Sequence, residues 1–171
     1  MLAIFFQTSP FLEYSNHQYK AMKNAYAGHL KYSFQLRPHT VADQAYIGAY
    51  QGIGVGYFNF GNPEELGNPL AVYLFQGGRI AQFSPRISLN YEWNFGASFG
   101  WKPYDEYDNP ENQIIGSKVN AYLNVNLYLK WALSPKFDLM IGTTGSHFSN
   151  GKYPISQLRS EHGGLQSGVG I

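Results

Sequence analysis

A histidine and a serine stand two positions apart late in the sequence, in the stretch Ser146-His147-Phe148-Ser149. Alternate residues of a β-strand point to the same face, so the side chains of His147 and Ser149 would share one surface. Their Cα atoms would lie roughly 6.5–7 Å apart, close enough for the imidazole to reach the hydroxyl with suitable rotamers. A histidine base that takes the proton of a serine hydroxyl creates a nucleophile, which is the chemistry of a serine esterase.

Such a site also needs groups that support the histidine and the developing oxyanion. Asn150 and Gly151 follow Ser149 directly and could offer an amide and backbone N–H groups to an oxyanion. Glu161 is the nearest carboxylate downstream, and it could orient the imidazole and stabilise its protonated form. The alternative is that a His-x-Ser sequence occurs here by chance and that Ser149-Asn150-Gly151 simply ends a strand.

The pair belongs to a predicted strand at residues 136–149. The apolar face of this strand is set by Phe137, Leu139 and Ile141. His147 and Ser149 have the same parity, and about ten residues of tilted strand, a climb on the order of 25 Å, separate them from Phe137. We therefore expect the pair at the far edge of an apolar band, where only a lipid could present an ester.

Long runs of alternating apolar residues occur elsewhere in the chain. Residues 118–133 contain eight apolar residues of one parity, and residues 86–101 repeat the pattern with small or polar residues between. Runs of about fifteen residues exceed the roughly 5–6 residues of a strand in a soluble protein. Shorter strands are predicted at residues 30–36, 53–57, 69–76 and 164–171. A connection is predicted at residues 77–84.

The composition narrows the classes of protein. Of 171 residues, 13% are charged, 17% are aromatic and none is cysteine. A disulfide scaffold, a cysteine zinc site and a cysteine nucleophile are therefore excluded. The net charge of +1 gives no electrostatic case for binding nucleic acid. No run approaches the ~18 apolar residues of a transmembrane helix.

These patterns predict an all-β fold, an antiparallel up-and-down transmembrane β-barrel of about eight strands, seven of them visible in the sequence. Bulky apolar residues would face lipid, and small polar residues would line a narrow interior. Residues 1–26 would be an N-terminal extension or a first strand, and residues 27–171 the barrel. Without a recognisable signal peptide or eighth strand, we expect an incomplete chain, with a barrel incomplete at its C-terminus.

Two parts of the sequence resemble a known family. The stretch Ser146-His147-Phe148-Ser149-Asn150-Gly151 resembles the signature of the lipid A 3-O-deacylase (PagL-like), or acyloxyacyl hydrolase-like, outer-membrane family. Residues 102–105, 109–112 and 115–121 resemble the loop and strand that precede this signature in members of the Bacteroidetes type. The resemblance extends over residues 27–171.

The resemblance implies an eight-stranded barrel in the outer membrane of a Gram-negative cell, with its active site facing the outer leaflet. Its substrate would be lipid A or lipopolysaccharide, from which it would hydrolyse an ester-linked acyl chain, typically at the 3-position. The chemistry would use a Ser-His-Glu triad without a metal or other cofactor. Ser149 would be the nucleophile, His147 the base, and Asn150 with Gly151 the oxyanion hole.

The resemblance leaves two candidates for the acid. Spacing from the histidine favours Glu161, whereas the local pattern in the family favours Gln166. A glutamine could hold the imidazole by a hydrogen bond but could not stabilise its positive charge. We favour Glu161; with Gln166 the triad would be impaired or reduced to a dyad.

Other polar residues have simpler interpretations. His17, His29, His39 and His162 lack metal-ligand spacing, and we expect solvated histidines of loops or of the interior. The acidic cluster Asp105, Glu106 and Asp108 could hold a cation but is more typical of an extracellular loop. The charged residues expected to pair inside the barrel are Lys31, Arg37, Glu92 and Lys130.

Two other classes of protein remain open. One is a small non-enzymatic outer-membrane barrel with a structural or adhesive role. The other is a soluble calycin-like barrel that binds a ligand inside. The second requires the face of Leu123, Leu127 and Trp131 to point inward, so the direction of this face distinguishes it from the membrane barrels.

Overall fold

The computed structural model describes residues 2–9, 12–15, 18–21, 25–35, 48–110, 112, 115–135 and 137–149. These residues form nine β-strands and no helix. None of them belongs to a helix long and apolar enough to cross a membrane.

In chain order the strands are β1 (Leu2–Ser9), β2 (Leu12–Ser15), β3 (Gln18–Ala21), β4 (Ala25–Gln35), β5 (Tyr50–Asn59), β6 (Gly67–Ser84), β7 (Ile87–Trp101), β8 (Val119–Ala132) and β9 (Asp138–Ser149). Seven of them form one antiparallel sheet in the order β1-β4-β5-β6-β7-β8-β9, and β2 pairs only with β3. Within the described residues, β1 and β9 are therefore the edges of the large sheet.

The strands predicted at 86–101, 118–133 and 136–149 are confirmed as β7, β8 and β9. The N-terminal residues, left open between an extension and a first strand, supply the edge strand β1, which pairs with β4. The predicted connection at 77–84 is wrong, because β6 continues to Ser84. Irregularities of register after Arg79 and Gln82 interrupt the alternation of apolar and polar residues, so the pattern does not predict this part of the strand. The strand predicted at 164–171 lies outside the described residues.

From β5 to β9, the connections between strands differ in length at the two ends of the sheet; residues 36–49, between β4 and β5, do not follow this division, because they form a long connection at the end where Gln35 pairs with Tyr50. Residues 60–66 and 102–118 join strands at one end, here termed the loop end. Residues 85–86 and 133–137 join strands at the opposite end, here termed the turn end. The second of these turns is closed by the Leu133 N–H, which donates to the Phe137 carbonyl at 3.0 Å. The tight turn predicted after Leu133 is thus confirmed.

The two faces of the sheet are chemically opposite. On β8 the apolar side chains Leu123, Leu127 and Trp131 are exposed on the outer face, whereas Tyr122 and Asn124 are buried on the inner face. This is the predicted direction. The alternative of a soluble barrel with this apolar face inside is therefore wrong.

The sheet is strongly curled, because side chains on distant strands touch across its inner face. Lys31 on β4 forms an ion pair with Glu92 on β7, three strands away. The rings of Phe58 on β5 and Phe148 on β9 lie 5.1 Å apart between centroids, across four steps of the sheet. The seven strands therefore enclose part of a barrel around a common interior.

Glycines on β5 make room for this interior. Gly54 and Gly56 occupy inner-face positions, where a Cβ atom would lie 2.5 Å from the ring of Tyr73 and 2.7 Å from the ring of His29, respectively. Rings from β4 and β6 can therefore lie over β5. Toward the loop end the interior is filled by an aromatic cluster of Phe58, Phe60, Tyr73, Trp101, Tyr122 and Phe148.

Two asparagines, Asn109 and Asn112, hold the long loop at 102–118 in place beside this cluster. Asn112 Nδ2 donates to the Lys102 carbonyl at 2.6 Å and the Glu65 carbonyl at 3.1 Å. Asn109 Nδ2 reaches the same Glu65 carbonyl at 2.9 Å. Both amides join the two long loops to each other, so their positions in the sequence have a structural reason.

Candidate functional site

His147 and Ser149 lie at the loop end of β9, where this strand pairs with the beginning of β8. His147 stands opposite Leu123 and Ser149 opposite Ala121 in the antiparallel register. His147 is exposed and Ser149 is half-buried, and both have outer-face parity as predicted. The structure thus brings these two predicted residues to one surface, two positions apart on the same strand.

The residue between them, Phe148, accounts for this orientation because its ring packs in the interior. Its centroid lies 4.9 Å from that of Trp101 and 5.2 Å from that of Tyr122. Successive side chains of a strand point to opposite faces. An inward Phe148 therefore turns both of its neighbours outward.

The part of β9 just before the pair is held from the interior by one buried amide. Asn124 Nδ2 lies 2.6 Å from Thr144 Oγ1, 2.8 Å from Ser146 Oγ and 3.1 Å from the Gly145 carbonyl. The amide has two protons to share among these three acceptors. Asn124 is only 2% exposed, so the donating amide itself is shielded from water. These bonds fasten the edge strand to β8 in addition to the backbone ladder.

The outer surface around the pair is apolar. Leu123, opposite His147, is 45% exposed, and Phe95, which is next in the same row on β7, is 54% exposed. Ser149 stands opposite Ala121 on β8, whose side chain is small. His147 and Ser149 therefore border an apolar surface.

The arrangement can support nucleophilic chemistry if the two side chains lean toward each other along the strand. At about 3.3–3.4 Å rise per residue, their Cα atoms are roughly 6.5–7 Å apart, within reach of a hydrogen bond between the imidazole and the hydroxyl. Asn150, Gly151, Glu161 and Gln166 lie outside the described residues. The oxyanion hole and the choice of acid therefore stay predictions.

The acidic cluster in the long loop is organised by backbone bonds. Asp105 Oδ1 accepts from the Asp108 N–H at 3.0 Å and from the Tyr107 N–H at 2.9 Å. These bonds, that of Asp108 first, hold the pKa of the Asp105 carboxyl below its ordinary value. No group of three or more His, Asp or Glu side chains in the described ranges could hold a metal ion. The geometry favours a loop turn over a cation site.

His29 lies in the interior, as predicted, but it is buried rather than solvated, with 3% of its surface exposed. Its Nδ1 atom is 2.9 Å from the Tyr73 hydroxyl, and its ring meets that of Phe58 edge-on at 5.2 Å. Its environment is therefore that of a core side chain. The histidines at 17, 39 and 162 lie outside the described residues.

The predicted pairing of interior charges is confirmed for Lys31 and Glu92, which form a buried ion pair. Sequence reasoning missed the groups around them. Tyr50 donates from its hydroxyl to Glu92 Oε2 at 3.1 Å, and Asn126 Nδ2 donates to Glu92 Oε1 at 3.1 Å. Inner-face parity could have identified Asn126, but not Tyr50, whose strand was predicted to begin later. Lys130 pairs with Asp138, and Arg37 lies outside the described residues.

Comparison of the chain with known protein families, with curated proteins and with solved structures finds no match. The resemblance to the lipid A deacylases therefore rests on the stretches of sequence quoted above. The fold and the outward pair define the class as an all-β protein with a curled antiparallel sheet and a His-x-Ser pair on its apolar outer face.

Proposed function

We propose that this protein is an outer-membrane serine esterase that removes an ester-linked acyl chain from lipid A, with Ser149 as nucleophile and His147 as base. One observation carries the proposal: both side chains lie on the outer, apolar face at the loop end of β9. An ester reaches such a face when it is carried by a lipid, because a water-soluble ester gains nothing from apolar surroundings.

The outer face supports a location in a membrane. Large apolar side chains are exposed on it strand after strand, such as Leu74 at 63% and Ile141 at 69%. Soluble monomers rarely expose apolar patches above a few hundred Å². Apolar residues outside combined with polar residues inside are typical of outer-membrane barrels, and a closed eight-stranded transmembrane barrel is the form that we propose.

The lengths of the connections from β5 to β9 support an orientation, to which the long connection between β4 and β5 is the exception. Outer-membrane barrels have short periplasmic turns and long extracellular loops. The loop end would then face outward, and His147 and Ser149 would meet the outer leaflet, where lipid A resides. The substrate would approach from within the membrane, with its ester near the lipid headgroups.

The proposed reaction has two stages. Ser149 Oγ attacks the ester carbonyl while His147 takes its proton, and the bond to the sugar oxygen breaks as His147 returns the proton to that oxygen. Water, deprotonated by His147, then attacks the acyl-enzyme, and His147 returns the proton to Ser149 Oγ as the fatty acid leaves. Asn150 and Gly151 would donate to the oxyanion, and Glu161 would orient the histidine.

The test is deacylation of purified lipid A by the protein folded in detergent, read by mass spectrometry. The wild type and the control Thr143→Ala, on the same face of the same strand, should each release one hydroxyacyl mass. Ser149→Ala and His147→Ala should release none. A folded wild-type protein that releases no acyl chain would contradict the proposal and favour a non-enzymatic barrel with a structural or adhesive role.

The two candidates for the acid are separated by a second pair of variants. If Glu161 is the acid, Glu161→Gln should lower kcat by up to about 10⁴, as loss of a triad carboxylate does elsewhere, and Gln166→Ala should change it little. The opposite result would assign the position to Gln166 and describe a site without a carboxylate.

A further inference from the structure

The interior contains a cavity of about 320 Å³ at the turn end, far from the His147–Ser149 pair. Every strand of the large sheet contributes to its lining, and Pro85 and Arg86, in the turn between β6 and β7, border it. This volume lies within the range of about 300–1,000 Å³ of small-molecule sites. The charges around it decide what it could hold.

The inner wall of the cavity is electrically balanced. Glu92 accepts from Lys31 and Asn126 at one carboxylate oxygen and from the Tyr50 hydroxyl at the other. Tyr50 has one proton, which it gives to Glu92, so the hydroxyl of Tyr128 must donate to that of Tyr50. The charge of Glu92 is therefore compensated inside this network.

The second carboxylate of the lining also has a lysine partner. Asp138 lies 3.7 Å from Lys130 Nζ. The remaining charged side chains of the cavity are Arg79 and Arg86, and neither forms an ion pair with a carboxylate among the described residues. Arg79 Nη1 donates to Gln82 Oε1 at 2.8 Å, which occupies one of its five N–H donors.

The lining thus has four cationic side chains against two carboxylates, an excess of two positive charges. The excess is carried by guanidinium groups on one hairpin, formed by β6, β7 and the turn between them. Guanidinium forks match the paired oxygens of carboxylates and phosphates, and bonds of this charged kind are about twice as strong as neutral ones.

We propose that the turn-end cavity binds a small oxyanion, a phosphate or carboxylate group, through Arg79 and Arg86. The site shares no residue with the proposed esterase and does not depend on it. The oxyanion is either a free solute that enters the cavity or the headgroup of a phospholipid beside the turn end. Both present the same chemistry to the two guanidiniums.

The first arm of the test titrates inorganic phosphate into the protein in a non-ionic detergent, followed by calorimetry. The second arm adds phosphatidylglycerol to the micelles instead. The wild type is compared with the double variant Arg79→Gln/Arg86→Gln and with Lys102→Gln/Lys118→Gln, which removes the same two charges from exposed residues outside the cavity. Both arginines are exposed, so the arginine double variant should fold, as circular dichroism would check.

We expect the wild type and Lys102→Gln/Lys118→Gln to bind the anion equally, and Arg79→Gln/Arg86→Gln to bind about tenfold or more weakly. Binding in the phosphate arm identifies a free solute, and binding in the lipid arm alone identifies a headgroup. No binding in either arm overturns the proposal, as does equal binding by the arginine double variant. If the arginine double variant does not fold, Arg86→Gln alone should weaken binding, and an unchanged affinity overturns the proposal.

Discussion

The rings of Phe148 and Trp101 pack against each other in the interior, with 4.9 Å between their centroids. Phe148 is on the edge strand β9 and Trp101 ends β7, so this contact joins two strands that are not neighbours in the sheet. The outward direction of His147 and Ser149 therefore depends on a contact on the opposite face of the sheet. We therefore expect a substitution of this interior ring to alter the positions of His147 and Ser149 on the outer face.

Phe148→Ala should lower the free energy of unfolding by about 3 kcal/mol, because it leaves a void among aromatic rings. It should also reduce deacylation more than its stability loss explains, since the end of β9 loses its inner anchor. Urea unfolding and the lipid A assay on the same preparation measure both effects. The control Phe148→Leu keeps most of the volume and should retain most of the stability. Unchanged unfolding in Phe148→Ala would show that the ring does not anchor β9.

Asn124→Ala should loosen the loop end of β9 without emptying the aromatic cluster. The variant removes the side-chain donors to Thr144, Gly145 and Ser146, and we expect a cost of about 1–3 kcal/mol for a buried polar network left incomplete. Hydrogen exchange of the amides at 144–149 should accelerate, while that of β6 should not. Asn126→Ala, on the same face of β8 but bonded to Glu92, is the control. Equal exchange at 144–149 in both variants would contradict a specific anchor.

The alternation of apolar residues predicts the strands and their faces well, because the side-chain period of two is a local property. It predicts β7, β8 and β9 nearly to the residue, and it predicts the outward direction of His147 and Ser149. Local periodicity fails in β6, where Gly77 and Gly78 suggest a turn. Gly77 is instead an inner-face residue close to Tyr50, and the strand continues past it.

The interior could be predicted only in part. The charges of Lys31 and Glu92 indicate a pair because both have inner parity, but 61 positions separate them along the chain. The curl of the sheet decides that they meet. The turn-end cavity cannot be predicted from the sequence for the same reason. Its lining comes from seven strands, and its excess positive charge depends on which lysines form ion pairs with carboxylates. The face on which a polar side chain lies follows from the neighbouring sequence, whereas its partner across the interior depends on the curl of the whole sheet.

The buried pair of Lys31 and Glu92 should be strongly coupled. Lys31→Met leaves Glu92 charged among apolar and hydroxyl groups, and Glu92→Gln leaves a buried ammonium, so each should cost about 3–5 kcal/mol. The double variant should cost clearly less than the sum of the single variants, because no isolated charge remains. Urea midpoints of the four proteins complete the cycle. Additive losses would show that the two residues act independently.

A charge on the outer face tests the membrane location directly. Leu127 lies near the middle of β8 and is exposed outward, so Leu127→Arg should cost about 2–4 kcal/mol in a lipid bilayer if this face meets hydrocarbon. Leu133→Arg, at the turn end just beyond β8, should cost about 0–1 kcal/mol because headgroups and water solvate it. In a soluble protein both residues would face water and both substitutions would be nearly neutral. Unfolding from lipid vesicles measures the difference, and equal small costs at the two positions would place the apolar face outside a membrane.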